Sequence, residues 1–217
     1  GDNMESLEGG CVIVANGDFL PLITLEIIKE SEKIIAVDGA VKTLYEKGIH
    51  PDAIVGDLDS IPAGLRERYA DRIHHVEDQE INDLTKSVRF AHTQGYREVL
   101  ILGATGLRED HTLGNISLLM DYAHLFKRVE MLSDYGLFTP ILETTTFASY
   151  PGQQISIFVL YPEGEISTEG LRWPIRRRKL TSWWQGTLNE ALGDQFTVTL
   201  SPDCRVIIYR EASHTKE

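Results

Sequence analysis

The stretch Ala53-Ile54-Val55-Gly56-Asp57-Leu58-Asp59-Ser60-Ile61 places an apolar run directly before two carboxylates. If the backbone stays extended after Gly56, the side chains of Asp57 and Asp59 point the same way. Two like charges held together raise a pKa unless a cation compensates them, and Mg²⁺ takes carboxylate oxygens directly or through water. The alternative is a solvated aspartate-rich turn, because Gly, Asp and Ser are common turn residues. Taken alone the stretch favours the turn, so its interpretation depends on the rest of the chain.

Around this stretch, apolar runs alternate with helical segments from Gly10 to about Ser133. The predicted strands are 12–15, 33–37, 53–55, 72–76, 99–102 and 129–132, and the predicted helices are 20–31, 40–47, 62–70, 83–94 and 111–126. Strands that read as continuous apolar runs between helices indicate a parallel sheet covered on both faces. We therefore predict an α/β, Rossmann-like nucleotide-binding catalytic domain over residues 10–135.

The character of the sequence changes after about Gly136, where Thr, Gly and aromatic residues increase and helical spacing disappears. Strands are predicted at 144–147, 154–161, 165–168, 179–182, 195–200 and 205–210, separated by Pro- and Gly-containing turns. Short strands with regular turn signals are typical of an all-β sandwich. We expect this second domain over residues 140–212, with the boundary between Ser133 and Glu143.

The composition limits which classes of binding partner and which cellular location are expected for the protein. The net charge of −12 argues against a nucleic-acid or anionic-membrane partner, although a metal can invert the field locally for a small polyanion. The two cysteines, Cys11 and Cys204, match no metal spacing, and the position of Cys11 at the start of a predicted buried strand suggests a reduced core thiol. Neither a membrane-length apolar stretch nor a signal peptide is visible, so the cytoplasm is the expected location, and residues 1–9 are expected to be a disordered lead-in.

Polar clusters follow the predicted strands of the first domain at their carboxyl ends. Asn16-Gly17 follows the first strand, Asp38-Gly39 the second, Asp57 and Asp59 the third, and 103–111 the fifth. Asp83 begins a helix at the same edge if the crossovers are right-handed. Ligands of open α/β sheets bind beyond these strand ends. The shared position therefore predicts one ligand site there.

The glycine-rich segment Gly103-Ala104-Thr105-Gly106 lies between a strand and a helix, where backbone N–H groups can approach phosphate oxygens. It lacks the ending of a Walker A loop, and no GxGxxG follows the first strand, so a nicotinamide dinucleotide is not expected. A plain strand-to-helix turn is the alternative. Arg108 could bind phosphate, Asp110 could cap the helix from His111, and His111 could contact a ligand or face water.

Other features remain open at this stage. A cap of the helix that carries Lys86 is the alternative role for Asn82 or Asp83, and His74-His75 lacks a third metal ligand at convincing spacing. The basic run 176–179 reads as a solvated turn, with phosphate contact as a minor option. The three tryptophans read as core or interface residues, one of which could stack on a flat heterocycle.

Together these motifs resemble the thiamine pyrophosphokinases of the bacterial type. The matching segments run in order along nearly the whole chain: 16–17, 38–39, 56–60, 78–86, 103–111, 167–173 and 186–190. The resemblance implies an α/β domain followed by a β-sandwich in a homodimer. It also implies Mg²⁺-dependent transfer of pyrophosphate from ATP to the hydroxyl of thiamine, with release of AMP.

The resemblance further implies roles for individual residues. Asp57, Asp59 and Asp83 would hold Mg²⁺, Asp38 would join their acidic cluster, and Arg108 and Asp110 would complete the catalytic set. The implied ATP-binding residues are Asn16, Gly17, Asp38, Gly39, Ser60, Gly103, Thr105, Gly106, Arg108, Asp110 and His111. The implied thiamine-binding residues are Gln79, Asp83, Trp173, Thr187 and Asn189, with Trp173 covering thiamine across the dimer interface.

The sequence departs from the family pattern at four positions, namely Asn82, Leu107, Glu109 and Leu188. These departures concern substrate contacts rather than the class of reaction. Two rival functions remain: a Mg²⁺-dependent phosphoesterase acting on a nucleotide-like substrate, and a regulator that binds thiamine or a nucleotide without turnover.

Overall fold

A computed structural model describes residues 9–17, 23–161 and 163–213, with side chains of the first helix described from residue 25. The chain divides into two compact units, and the division falls between Asp134 and Tyr135. Most of the lead-in predicted over 1–9, and the start of the helix predicted over 20–31, lie outside the described residues.

The first unit alternates strands and helices as the apolar pattern predicts. Its strands are β1 (Gly10–Val14), β2 (Ile34–Val37), β3 (Ala53–Gly56), β4 (Ile73–His75), β5 (Glu98–Leu102) and β6 (Arg128–Leu132). Its helices are α1 (Ile23–Glu30), α2 (Ala40–Glu46), α3 (Ala63–Arg68), α4 (Asp83–Thr93) and α5 (Glu109–Tyr122), with a 3₁₀ turn at Ala70–Arg72.

Every strand pairing within this unit is parallel, in the order β6-β5-β1-β2-β3-β4. All residues of β1, β2 and β3 are buried, which confirms the prediction of a sheet covered on both faces. After β1 the chain forms β2, β3 and β4 on one side of that strand, and it then returns to form β5 and β6 on the other side. The direction of strand order thus reverses at β1, and the carboxyl ends of β1 and β5 form the crevice where α/β sheets bind ligands.

The second unit is an antiparallel β-sandwich. Its strands are β7 (Gly136–Ile141), β8 (Thr145–Ala148), β9 (Gln154–Tyr161), β10 (Ile166–Glu169), β11 (Asn189–Glu190), β12 (Gln195–Leu200) and β13 (Arg205–Glu211). One sheet has the order β11-β9-β13-β7 and the other β10-β12-β8. Residues of both sheets share one apolar core, in which the rings of Phe147 and Phe196 stack at 5.2 Å. The predicted fold class is confirmed.

The structure corrects three local predictions. No strand forms at 179–182; that segment leads instead into a 3₁₀ helix at Trp183–Gly186. β7 was not predicted, because it lies in the region assigned to the boundary. Helix α5 begins at Glu109 rather than His111, so Asp110 lies in its first turn and Arg108 occupies the capping position.

Each unit contains a single buried cysteine. Cys11 lies in β1, where burial raises the pKa of its thiol to about 12. Cys204 precedes β13, and burial raises the pKa of its thiol also. Both thiols are free, which confirms the prediction for Cys11. Among the described helices, none combines the length and the apolar character that crossing a bilayer requires.

Candidate functional site

A cavity of about 510 Å³ opens at the carboxyl ends of β1, β2 and β5 in the first unit. Its walls come from the segments that follow these strands and from the first turns of α4 and α5. Most residues predicted to bind ATP line it: Asn16, Gly17, Asp38, Gly39, Ser60, Gly103, Gly106, Arg108, Asp110 and His111. The remaining predicted residue, Thr105, is not in the wall, although its backbone carbonyl lies close to Gly17.

Glycines allow the segments around the cavity to approach one another. The Gly17 N–H donates to the Gly103 carbonyl at 2.6 Å, which joins the segment after β1 to the one after β5. A Cβ at Gly17 would lie 2.6 Å from the Thr105 carbonyl oxygen and closer still to that of Gly103. At Gly56, a Cβ would lie 2.9 Å from the Cβ of Asp38. The close approach of these segments therefore depends on the absence of a side chain at both positions.

Three carboxylates converge at this edge of the sheet. One oxygen from each of Asp38, Asp57 and Asp83 lies within 4.8 Å of the others. Asp38 follows β2 with a φ of 44°, a left-handed conformation that Asp tolerates better than most residues. Asp57 follows β3, and Asp83 is the first residue of α4. The cluster thus combines three separate segments of the chain.

Asp59 is not a member of this group of three. The extended backbone that would align Asp57 with Asp59 does not form, because β3 ends at Gly56 and Leu58 has a φ of 73°; the alternative of an aspartate-rich turn is what the structure shows. The Asp59 N–H instead donates to Oδ1 of Asp57 at 3.2 Å, as in an Asx turn. Of the predicted metal ligands, the structure brings together Asp57 and Asp83 and adds Asp38; a role for Asp59 in holding an ion stays a prediction.

The electrostatics of the three carboxylates differ. Burial raises the pKa of Asp38 to about 6, and the nearby charges of Asp83 and Asp57 add to the increase. The pKa of Asp57 is lowered, mainly because its carboxylate accepts the Asp59 N–H, then by a side-chain hydrogen bond with Asp38, and to a smaller degree by the positive charge of Lys86. Keeping Asp38 ionised in the folded protein therefore costs free energy, and a bound cation would remove that cost.

The donor set fits a hard divalent cation. All three candidate ligands are carboxylates, which suit Mg²⁺, Ca²⁺ or Mn²⁺ rather than a soft metal. Moreover, Oδ1 of Asp38 is buried and has no hydrogen-bond partner among the described residues. Buried carboxylate oxygens are normally satisfied, so this atom has an acceptor position available for an ion or its water.

Several contacts fix the position of α4 and hence of Asp83. Asn82 caps the helix by accepting the Thr85 N–H at 2.9 Å, and its own amide reaches Oδ1 of Asn115 at 3.4 Å. Thr85 in turn shares a buried hydrogen bond of 2.6 Å with the hydroxyl of Tyr122 in α5. Asn82, a departure from the family pattern, is therefore a good helix cap.

Elsewhere in the cavity wall, Arg108 forms two hydrogen bonds with Asp110, of 3.1 and 2.6 Å. Both side chains are exposed, and the His111 N–H also donates to Asp110 at 3.0 Å. These bonds lower the pKa of Asp110, the Arg108 side chain being the main cause. Asp110 thereby orients the Arg108 guanidinium beside the cavity instead of capping the helix.

The residues predicted to bind thiamine belong to both units. Gln79 and Asp83 lie in the first, whereas Trp173, Thr187 and Asn189 lie in the second. Asn189 is buried and holds the backbone of Trp173 twice, accepting its N–H at 3.2 Å and donating to its carbonyl at 2.7 Å. Trp173 is 53% exposed, and the Arg172 guanidinium lies 4.7 Å from the centroid of its ring. The Trp173 ring is thus exposed on a fixed backbone and already faces a cation.

Sequence reasoning gave no role to Asn115, which lines the cavity, or to Lys86, which contacts Asp83. Lys86 is buried with its ammonium 3.2 Å from Oδ1 of Asp83, and Asn115 donates to the Ala104 carbonyl at 2.9 Å. The positions of both residues in the sequence could have indicated their place near the site. Lys86 lies three residues after Asp83, and Asn115 lies four after His111, so each shares a helix face with a predicted site residue.

The pKa of Asp38 predicts how the stability of the metal-free protein depends on pH. Since the pKa in the folded protein, about 6, exceeds the usual 3.8, the folded protein retains a proton that the unfolded chain has released. The contribution of Asp38 to the free energy of unfolding is therefore fully present at low pH and is lost as pH rises from about 4 through about 6. We expect the melting temperature of Asp38→Asn to exceed that of the wild type increasingly over this interval. Thermal melts in chelator measure it; a difference independent of pH would contradict the assignment.

Comparisons with known proteins identify the family that both units resemble. The thiamin pyrophosphokinase catalytic-domain model matches residues 24–131, and the thiamin pyrophosphokinase substrate-binding-domain model matches residues 136–209. Thiamine pyrophosphokinase 1 of Oryza sativa subsp. japonica is 30% identical over 174 residues, which cover 72% of this chain and 64% of that relative. Thiamine pyrophosphokinase of Bacillus subtilis (strain 168) is 37% identical over 89 residues, covering 39% of this chain and 42% of that relative.

Solved structures show the same fold. Thiamin pyrophosphokinase from Candida albicans has a TM-score of 0.80 at 18% identity, over 94% of this chain and 90% of that one. The enzyme from Geobacillus thermodenitrificans has a TM-score of 0.78 at 24% identity, over 95% and 99%. The chain spans between 54% and 64% of the length of the three rice relatives that it matches. Since the two domain models together account for most of both compact units, the chain belongs to the thiamin pyrophosphokinase family.

Proposed function

We propose that the protein transfers pyrophosphate from ATP to the hydroxyl of thiamine and releases thiamine diphosphate and AMP. The observation that carries this proposal is the convergence of Asp38, Asp57 and Asp83, of which Asp38 and Asp83 line a cavity whose wall also includes the glycine-rich loop. That cavity lies in the part of the chain matched by the family's catalytic-domain model. Membership of the family supports thiamine as the acceptor.

The arrangement suits the chemistry of phosphoryl transfer, which requires charge neutralisation and in-line positioning more than covalent catalysis. Asp38, Asp57 and Asp83 would hold Mg²⁺, which supplies positive charge against the triphosphate. The backbone at Gly103–Gly106 and the guanidinium of Arg108 would bind phosphate oxygens. The thiamine hydroxyl oxygen then bonds to the β-phosphorus and loses its proton, while the bond from that phosphorus to the AMP oxygen breaks.

The second unit would contribute the thiamine side of the site. Thiamine carries a cationic thiazolium, and an exposed tryptophan ring attracts cations. In this proposal thiamine is bound by the region that contains Trp173, Thr187 and Asn189, together with Gln79. The protein would form a homodimer whose interface contains this site. Neither nucleic acid nor a membrane is part of the proposal, and a cytoplasmic location stays a prediction.

A single assay separates this function from its rivals. The protein is incubated with ATP, Mg²⁺ and thiamine, and AMP is quantified with and without thiamine. AMP that appears only with thiamine supports the proposal. Phosphate release independent of thiamine would indicate a phosphoesterase, and binding of either ligand without product would indicate a regulator.

Trp173→Ala is expected to raise the KM for thiamine about tenfold, in line with the loss of one cation–π contact, and the KM for ATP far less. Steady-state kinetics with each substrate varied measures both constants. Trp184→Ala is a matched control, because Trp184 lies in the same unit and is 75% exposed. An unchanged thiamine KM in Trp173→Ala would remove this residue from the site.

A further inference from the structure

The acidic cluster contains a built-in cation, the buried ammonium of Lys86. Lys86 is only 4% exposed, although lysine is among the residues least often buried. Helix α4 places it one turn after Asp83, and its Nζ lies 3.2 Å from Oδ1 of Asp83. A buried ammonium requires such a partner, because leaving its charge unpaired away from water is costly.

The surroundings hold this ion pair in place from several sides. Asn82 fixes the first turn of α4, the Ser87 hydroxyl donates to the Asp83 carbonyl at 3.0 Å, and Thr85 bonds to Tyr122. The Lys86 ammonium also acts on Asp57, whose carboxylate its charge helps to stabilise. Lys86 therefore influences two of the three converging carboxylates, although it contacts only Asp83.

The charges of the cluster can be counted. Three carboxylates contribute −3 and Lys86 contributes +1, so the group has a net charge of −2 when all are ionised. One divalent ion matches that charge. Without Lys86 the site would have an excess negative charge after binding one ion, which would favour tighter retention of the metal and repel the polyanionic tail of a nucleotide.

We infer that Lys86 is the fixed counter-charge of the metal site: it positions Asp83 and weakens the binding of free metal so that the site matches one divalent ion. The inference rests on the metal role that the proposed function gives to the three carboxylates, but not on the identity of the substrates. It does not place Lys86 in contact with substrate.

The test measures metal affinity directly. Chelator-treated wild type, Lys86→Met and Lys47→Met are titrated with Mn²⁺, which takes the same oxygen ligands as Mg²⁺, and free Mn²⁺ is counted by electron paramagnetic resonance. Lys47 is exposed in the same unit, so its substitution changes the net charge equally. We expect Lys86→Met to bind Mn²⁺ about tenfold more tightly, because a like charge near the ion is removed, and Lys47→Met to match the wild type.

Each outcome is decisive. Folded Lys86→Met with an unchanged or weaker Mn²⁺ affinity would overturn the inference. If Lys86→Met is unfolded in chelator, refolding on addition of Mn²⁺ supports it, whereas a variant that stays unfolded at saturating Mn²⁺ shows that Lys86 serves packing alone. AMP formation with thiamine is measured separately on the wild type. Tighter Mn²⁺ binding without that activity would exclude the proposed reaction and leave the role of Lys86 standing.

Discussion

Asp57→Asn is expected to lower turnover by about 10²–10³-fold, the usual effect of removing one electrostatic contact to the reacting groups. Asn keeps the size of Asp, and its amide oxygen can still accept the Asp59 N–H that Asp57 accepts at 3.2 Å. The turn after β3 should therefore persist, while one of three negative ligands is lost. Thiamine-dependent AMP formation at saturating Mg²⁺ measures the change, and circular dichroism checks the fold.

A matched substitution lies near the opposite end of the same strand. Asp52 precedes β3, and its carboxylate accepts the Ile34 N–H at 2.8 Å. Asp52→Asn makes the same chemical change away from the cluster, preserves an acceptor for that N–H, and should retain normal turnover. Near-wild-type turnover of Asp57→Asn at saturating Mg²⁺ would rule out the metal role of this carboxylate.

Gly17→Ala is expected to have the second large effect, because its new methyl group would overlap two backbone carbonyls. Those of Gly103 and Thr105 both lie inside the distance that a Cβ tolerates, and backbone oxygens cannot rotate away as a side chain can. Relief requires the segments after β1 and β5 to separate, which breaks the Gly17–Gly103 hydrogen bond. We expect a loss of about 2–3 kcal/mol in the free energy of unfolding, typical of overpacking, and a higher KM for ATP.

Gly64→Ala provides the control for this substitution. Gly64 lies in α3, and an added Cβ would meet no heavy atom within 4 Å. Since alanine favours a helix more than glycine does, Gly64→Ala should be neutral or stabilising by up to about 1 kcal/mol. Urea denaturation of both variants gives the two free energies. Equal effects at both positions would show that the close approach at Gly17 has no energetic role.

The sequence was sufficient to predict the class of each unit and the edge at which the site lies. Continuous apolar runs such as 99–102 are typical of strands in a parallel sheet covered on both faces, so their pattern predicts that type of sheet. Parallel strands also end at one edge, and this alone places Asp57 near Asp38. Neither conclusion depended on individual dihedral angles.

The identity of the third carboxylate did depend on such angles. The two-residue spacing of Asp57 and Asp59 predicts a shared direction only in an extended chain, and the positive φ of Leu58 removes that condition. The positive φ of Asp38 was equally invisible, because the sequence does not show that Asp38 packs closely against Gly56 in the folded chain. The helix start at Glu109 was missed for a related reason: Asp110 resembles a cap in sequence but binds Arg108 instead.

The two buried cysteines have a practical consequence, because each compact unit contains one. A thiol with a pKa raised by burial is nearly inert to alkylation in the folded state and becomes reactive only when its surroundings open. The protein thus has a natural chemical reporter in each half. Labelling rates at Cys11 and Cys204, resolved by peptide mass, would show whether the halves open together or one before the other.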